Sequence, residues 1–232
     1  MSDAWACLTF AADLCYLIIQ LTTMANPHPT SLPDTRSRII EAARALFWEK
    51  GYAATGLAEI LARGRANSGS FYHFFDSKDA LLSTVLDSYV DLLEPQVIGP
   101  VWASTIDPLG RVFALLAGYR QRLVDTNCQY GCPIGRLALE IDPENTPAHA
   151  HIARNFSAWK TAVEACLRAA GVPRPKQSAA MTLAVMEGAV MQARAHRDIE
   201  PFDDCIQQLR EYFRSVTPAR RSRRAATRTR TR

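Results

Sequence analysis

The sequence lacks the short motifs that mark the common enzyme classes. It contains no GxSxG nucleophile turn, no phosphate-binding glycine loop and no HExxH metal site. Its six cysteines form no CxxC pair and its five histidines are scattered, so no zinc site has an evident ligand set. After Pro95 it has no strand-length segment of alternating polar and apolar residues, which favours helices. We therefore expect no enzyme activity, no metal and no cofactor.

Basic residues are missing from the beginning of the chain. None precedes the apolar run Ala4–Leu21, which Asp13 interrupts. A secretory signal needs a positive start, and a membrane span tolerates a central acid poorly. Met24 and a polar, proline-rich stretch follow. We predict that residues 1–33 are a disordered extension or that translation starts at Met24, with a membrane-anchoring helix as the alternative.

The net charge of +4 comes from the other end of the chain. Residues 218–232 hold seven arginines and no acid, whereas the preceding residues hold 20 basic and 23 acidic side chains. We predict a disordered tail that either attracts DNA phosphates without sequence preference or has no role. Residues 34–82 carry seven basic and six acidic residues. DNA binding there requires the basic residues to lie on one face.

The stretch from Gly56 to Phe75 has the pattern of a helix, a tight turn and a short second helix. Gly64 ends the first helix, and Asn67 suits the N-cap of the second. The first helix has an apolar stripe of Leu57, Ile60 and Leu61. Helical spacing places three aromatic anchors on one face of the second helix: Phe71, Phe74 and Phe75. The opposite face begins with small polar residues, which is the outline of a DNA-recognition helix.

These residues resemble the DNA-binding domain of TetR-type transcriptional regulators, over roughly Asp34 to Leu93. The resemblance rests on the segments Arg38–Ala43, Leu46-Phe47, Gly51-Tyr52, Ala54-Thr55, Ile60, Gly69–Phe75 and Ser77–Leu82. It implies phosphate contacts from Thr55, Tyr72 and Lys78. We further expect Arg36 and Arg65 to contact the DNA backbone. The residues expected to recognise bases or to position the recognition helix are Asn67, Ser68, Gly69, Ser70, Tyr72 and His73.

The turn departs from the family pattern in two places. Gly64-Arg65 replaces the usual Ala-Gly, and Ala66-Asn67 replaces the usual Val-Ser. Glycine tolerates a left-handed backbone, but here it stands one position early. Either the turn shifts, or Arg65 accepts strain of ~1 kcal/mol.

The helical pattern after Pro95, together with the resemblance, predicts an all-α protein. It has a three-helix DNA-binding head over residues 34–93 and a larger ligand-binding and dimerisation domain over residues 94–217. A helix from Lys78 to about Leu93 connects the two and is the expected lever for a ligand. Gly131–Glu140 resembles a segment from one subgroup of the family's ligand-binding domains. Further helices are expected near 108–126, 133–141, 145–170, 176–196 and 202–215.

Apolar residues of these helices are candidates for a ligand pocket or for ordinary core packing. The pocket candidates are Trp102, Phe113, Tyr119, Cys128, Ile134, Phe156, Trp159 and Met186. Small and apolar residues near the end of the chain are candidates for a dimer interface, as the family resemblance implies. They are Leu183, Ala184, Gly188 and Met191. Core packing is the more common role at any single pocket position, and the dimer candidates also suit the interior of a monomer.

The expected function is a cytoplasmic, homodimeric DNA-binding repressor that a mainly apolar or aromatic ligand releases from its operator. Its expected partners are double-stranded operator DNA, a small-molecule effector and a second copy of the chain. A helical protein-interaction adaptor is an alternative. A cysteine-based redox sensor is another, because Cys128 and Cys132 are four residues apart.

Overall fold

The computed structural model describes residues 34–217, which fold into helices joined by turns and loops and confirm the all-α class. The expectations for residues 1–33, Met24 and the arginine-rich tail 218–232 fall outside these described residues. The helices are α1 Thr35–Lys50, α2 Leu57–Arg63, α3 Ser68–Phe74, α4 Lys78–Leu92, α5 Gly99–Ser104, α6 Pro108–Asp125, α7 Pro133–Glu140, α8 Thr146–Ala169, α9 Pro175–His196 and α10 Glu200–Val216.

Helices α1 to α4 form the head around one apolar core. Its central side chains are fully or almost fully buried: Ile39, Phe47, Ile60, Phe71, Leu81 and Leu82. Polar caps start three of the helices, because Asp34, Asn67 and Ser77 each accept a backbone N–H from the first turn. Local sequence signals therefore place these helix starts.

The core of the head continues into the larger part of the chain. Cys132, Ile134 and Leu137 from α7 and its cap pack into the same cluster, as does Ile152 from α8. A second cluster joins α6, α8, α9 and α10 around buried side chains such as Leu116 and Phe213. The head is thus packed directly against the larger helical part.

The turn between α2 and α3 takes the second of the two expected forms. Gly64 keeps a right-handed helical backbone, and Arg65 carries the left-handed conformation with φ 49°. Arg38 Nε donates to the Gly64 carbonyl at 3.1 Å and its Nη2 to the Arg65 carbonyl at 3.3 Å. Arg38 therefore holds the turn from α1, a role that its position in the sequence did not indicate.

Replacing Arg65 by glycine should raise the free energy of unfolding by about 0.5–1 kcal/mol. Glycine removes the left-handed strain of ~1–2 kcal/mol, and its greater freedom in the unfolded chain offsets part of this gain. Chemical denaturation measures the change. Gly64→Ala is the matched control, since its Cβ would lie 3.2 Å from the Arg38 carbonyl oxygen and should destabilise the head. A lower stability of Arg65→Gly would contradict this account.

Phe74 is not an anchor, contrary to the expectation from helical spacing. Phe71 and Phe75 are buried, but Phe74 is 38% exposed. The helix ends at Phe74, and Phe75 has an extended backbone with φ −141° and ψ 126°. This change of backbone turns Phe75 into the core and leaves Phe74 at the surface, so helical spacing no longer applies.

The chain does not leave the helical conformation at Pro95. Leu93–Ile98 forms a π-helical segment between α4 and α5. Proline has no N–H to donate, and its ring clashes with the carbonyl four residues earlier in an α-helix. The wider turn of a π-helix accommodates both effects. Within residues 34–217, no helix combines the length and hydropathy needed to cross a membrane.

Candidate nucleic-acid interface and effector cavity

The first turn of α3 is exposed and built from small polar residues. Asn67, Ser68 and Gly69 are exposed, and Asn67 Oδ1 accepts the backbone N–H of Ser70 at 2.8 Å. A Cβ added at Gly69 would meet only this Oδ1, at 3.3 Å. Apart from this close contact with its own cap, nothing crowds Gly69, although Ser70 itself is half-buried.

Two larger polar side chains extend this exposed face by one turn. Tyr72 is 61% exposed, and its ring meets the buried ring of Phe71 edge-on at 5.1 Å. His73 is exposed beside Phe74, with 4.8 Å between ring centres. We call this exposed face the recognition surface. It comprises Asn67, Ser68, Gly69, Tyr72 and His73.

The basic residues of the head divide into paired and unpaired groups. The paired ones form three ion pairs: Arg44–Glu41, Lys50–Glu59 and Arg63–Glu49. Arg36 and Arg65 are exposed and have no ion pair with any residue from 34 to 217. Arg65 lies two residues before Asn67, the N-cap of α3, and thus next to the recognition surface in the chain. The Arg36 guanidinium lies 5.6 Å from the ring centre of Phe75, the residue that follows α3.

Thr55 does not offer its side chain to DNA, which corrects the expectation from the resemblance. It is 1% exposed, and its hydroxyl donates to the Gly51 carbonyl at 2.6 Å. Lys78 Nζ donates to the Tyr52 carbonyl at 2.7 Å and lies 4.0 Å from the centre of that ring. Partial burial lowers the pKa of Lys78, although nearby acids oppose the shift. Lys78 therefore has an internal role in holding the head.

A cavity of about 440 Å³ lies between the head and the larger helical part. Such a volume is within the usual range for sites that bind small molecules. Trp48 of α1 and Tyr89 of α4 line one side, and α6, α8 and α9 supply the other. Five of the eight sequence candidates line it: Tyr119, Ile134, Phe156, Trp159 and Met186.

Three candidates lie elsewhere. Phe113 packs against Phe213 with 6.2 Å between ring centres, and Cys128 is buried in the second core cluster. Trp102 is half-buried beside Arg111, whose guanidinium is 5.8 Å from its ring centre. These side chains pack in or against the core. The sequence did not reveal this, because periodicity does not distinguish a packed interior from a cavity wall.

The cavity wall contains a buried carboxylate that the sequence did not reveal. Glu187 of α9 lies near the Cys132 thiol, and burial raises the pKa of its carboxyl group. The same carboxylate lies so close to Gly135 that a Cβ there would approach it to 2.2 Å. Burial, together with Glu187, also raises the pKa of the Cys132 thiol. This thiol is therefore kept protonated.

Helix α7 connects the cavity with the end of α1. Its first turn lines the cavity through Ile134. Two residues later Arg136 donates to the carbonyls of Trp48, Glu49 and Lys50. Because the last carbonyls of a helix have no partner within it, Arg136 acts as a cap on α1.

Glu140, at the end of α7, completes this connection. Its Oε2 accepts the Tyr52 N–H at 3.0 Å, and its Oε1 accepts the Ala53 N–H at 2.7 Å. Gly51 lies directly against it with φ 92°, and a Cβ there would come within 2.4 Å of the carboxylate. We call Arg136 and Glu140 the α7 clamp. Their spacing of four residues is the only trace of it in the sequence.

The dimer candidates do not all occupy one surface. Ala184 and Met191 are exposed on α9, and nothing lies within 4 Å of a Cβ added at Gly188. Leu183 lines the cavity instead. An exposed apolar groove lies between α9 and α10, lined by Met181, Val185, Cys205, Leu209 and Tyr212 among others.

Cys128 and Cys132 belong to different core clusters and are free thiols. Burial raises the pKa of both. A reactive cysteine needs an accessible thiolate, so these two sites are poorly suited to rapid oxidation. No group of side chains within the described residues has the arrangement of a metal site.

Comparison with known proteins identifies two matching family models. Residues 39–85 match bacterial regulatory proteins of the tetR family. Residues 108–208 match the C-terminal domain of LmrA/YxaF-like transcriptional regulators. The two matches correspond to the head and to most of the larger helical part.

Individual relatives match over most of their length. An uncharacterized HTH-type transcriptional regulator of Mycobacterium tuberculosis is 30% identical over 192 residues, covering 80% of this chain and 97% of that protein. The HTH-type transcriptional repressor NemR of Escherichia coli is 26% identical over 199 residues, covering 80% of this chain and 96% of that protein. The crystal structure of reduced E. coli NemR matches 81% of this chain and 100% of its own, with a TM-score of 0.69 and 22% identity. The two proteins share the fold.

Proposed function

Because the chain belongs to the TetR family of transcriptional regulators, we propose that it acts as a homodimeric repressor, which a small, mainly apolar or aromatic ligand releases from its operator. The recognition surface is the observation that carries this proposal. It presents small polar side chains and a tyrosine on one short helix, which Phe71 and Phe75 hold from behind. Such a helix places its first turn against base edges in the major groove.

The charge distribution of the head supports the same role. Arg36 and Arg65 are exposed and form no ion pair within residues 34–217, so they are available to phosphates. The other cations of α1 and α2 that flank the cavity are neutralised by glutamates. Phosphate contacts position a protein on DNA, whereas base contacts specify the sequence. We assign the phosphate contacts to Arg36 and Arg65. We assign the base contacts to Ser68, Gly69, Tyr72 and His73.

The proposed dimer brings together two copies of the groove between α9 and α10. Met191 is 54% exposed and Tyr212 is 40% exposed, both on these last helices. Exposed apolar groups in a continuous patch favour association. A two-fold dimer also presents two recognition helices to paired half-sites. It would act in the cytoplasm, where the DNA is accessible.

Ligand binding would act on the head through two routes. The cavity touches α4, which leads directly to α3, and it touches α7, which clamps the end of α1. A ligand that stabilises one arrangement of these helices shifts the head toward it. The ligand must prefer the state with low DNA affinity, since equal affinity for both states shifts nothing.

A gel-shift assay on the region upstream of the chain's own gene tests this proposal. We expect a discrete complex at low salt, and light scattering of the purified protein should give the mass of two chains. Scrambled DNA of equal length is the control for charge alone. A protein that ignores every duplex, or that remains a single chain at the working concentration, would contradict the proposal.

A further inference from the structure

The turn between α2 and α3 has the geometry of a helix end that glycine usually completes. The N–H of Ala66 donates to the Leu61 carbonyl at 2.9 Å. The N–H of Arg65 donates to the Ala62 carbonyl at 3.3 Å. These two hydrogen bonds define a Schellman motif, in which the residue after the C-cap is left-handed and is most often glycine. Arg65, with φ 49°, occupies the position that most favours glycine.

The strained backbone of Arg65 indicates that its side chain has a function. A left-handed conformation brings Cβ too close to the following carbonyl oxygen, so arginine is less stable there than glycine. Strained residues cluster at functional sites. The Arg65 side chain is exposed and forms no ion pair within residues 34–217. Its function therefore lies outside the head, and the proposed function supplies a DNA phosphate as its partner.

Arg38 of α1 holds the backbone on both sides of this residue. Its Nε donates to the Gly64 carbonyl at 3.1 Å, and its Nη2 donates to the Arg65 carbonyl at 3.3 Å. The two carbonyls belong to the peptide groups before and after the Arg65 Cα. Nη2 also donates to the Thr35 hydroxyl at 3.1 Å, which fixes the guanidinium along α1. The guanidinium of Arg38 thereby sets the direction in which the Arg65 side chain leaves the backbone.

The main chain of Arg38 contacts the same turn. A Cβ added at Gly64 would lie 3.2 Å from the Arg38 carbonyl oxygen, so the turn packs directly against α1 at this residue. Arg38 is half-buried, and its Nε and Nη2 donate within the head. It is therefore suited to holding the turn rather than to contacting a phosphate itself.

We propose that Arg38 is a positioning residue for DNA binding, which holds the two peptide groups around Arg65 and so directs the Arg65 guanidinium toward a DNA phosphate. This inference rests on the proposed function and adds to it the residue that sets one of its phosphate contacts. Arg65 touches the DNA, and Arg38 acts through Arg65. Loss of either arginine therefore removes the same contact.

Fluorescence anisotropy with a labelled fragment from upstream of the chain's own gene, at several salt concentrations, tests the contact. Arg65→Gly should lower the affinity by about tenfold and reduce the slope of log affinity against log salt by about 2, because the proposed dimer gives up one phosphate contact in each head. Arg65→Lys keeps the charge and should keep most of the slope. An unchanged slope in Arg65→Gly would overturn the proposal.

The double variant tests the positioning role. Arg38→Met keeps an apolar stem without the donors, and it should reduce affinity and slope as much as Arg65→Gly does. Arg38→Met combined with Arg65→Gly should bind DNA like Arg65→Gly alone, since Arg38 has no side chain left to direct. Additive losses of affinity, or a slope reduced by about 4 in the double variant, would mean that Arg38 contacts phosphate itself and would overturn the proposal.

Two further variants control for folding and for net charge. Arg38→Lys donates from a single nitrogen and cannot bridge both carbonyls as the guanidinium does, so its affinity should be intermediate. If circular dichroism shows that Arg38→Met has lost helix, Arg38→Lys takes its place, and its loss of affinity should vanish in the Arg65→Gly background. Arg168→Met removes an exposed cation of α8, outside the head, and should leave affinity and slope unchanged.

The DNA binding of the original chain separates this inference from the proposed function. A protein that binds no duplex at low salt overturns the function as a DNA-binding regulator, and the phosphate contact with it. A protein that binds the fragment, but whose Arg38 and Arg65 variants lose affinity additively, overturns only the positioning role.

Discussion

Replacing Gly69 by glutamate should reduce affinity for operator DNA by ~100-fold or more, with little effect on the fold. Gly69 is exposed at the start of α3, and a Cβ there meets only the Asn67 side chain. A carboxylate on the recognition surface would face the phosphates of the duplex, and like charges at an interface cost several kcal/mol. The proposed homodimer would carry the change at both half-sites. Fluorescence anisotropy with labelled operator DNA measures the loss.

Gly69→Gln is the matched variant, because it has the same shape as glutamate without the charge. It should retain much more affinity than Gly69→Glu if charge, rather than bulk, is responsible. Thermal unfolding should show that both variants keep the fold, since glycine is a poor helix former and the Asn67 side chain needs to move by only a few tenths of an ångström. Equal DNA affinity of the original protein and Gly69→Glu would mean that α3 does not face the duplex.

Replacing Glu140 by alanine should lower the free energy of unfolding by ~2–3 kcal/mol. It should also weaken the coupling between the cavity and the head. The carboxylate accepts two backbone N–H groups, from Tyr52 and Ala53, at the point where the chain leaves α1. Hydrogen bonds to a charged group contribute ~1.5–3 kcal/mol each, and their loss leaves both donors without this partner. Denaturant unfolding followed by circular dichroism measures the change.

The position of the α7 clamp between the cavity and α1 leads to a second prediction for Glu140→Ala. If α7 transmits the effector signal, Glu140→Ala should still bind ligand but should respond with a smaller change in DNA affinity. Glu140→Gln keeps one acceptor and should be intermediate. Glu144→Ala, four residues away and exposed, is the control for the loss of an acid near this helix. A full ligand response in Glu140→Ala would leave α4 as the only route.

Local signals in the sequence predicted much of the head. Apolar spacing predicted α2, Asn67 predicted the start of α3, and the family resemblance predicted the arrangement that the structure and the comparisons confirm. Where a local signal failed, a change of backbone was responsible. Phe74 is exposed because the helix ends there, and α4 is followed by a π-helical segment because Pro95 lies within it.

The sequence alone determined the all-α class, the position of the helix-turn-helix and its polar face, because periodicity and capping depend on neighbouring residues. Only the tertiary structure decided that Thr55 is buried, that α7 clamps α1 and that Glu187, Arg122 and Trp159 line one cavity. These relations join residues that are far apart in the chain, such as Glu140 and Tyr52. A repeat of apolar residues reveals which face of a helix is buried, but the partner of that face depends on the packing of the whole fold.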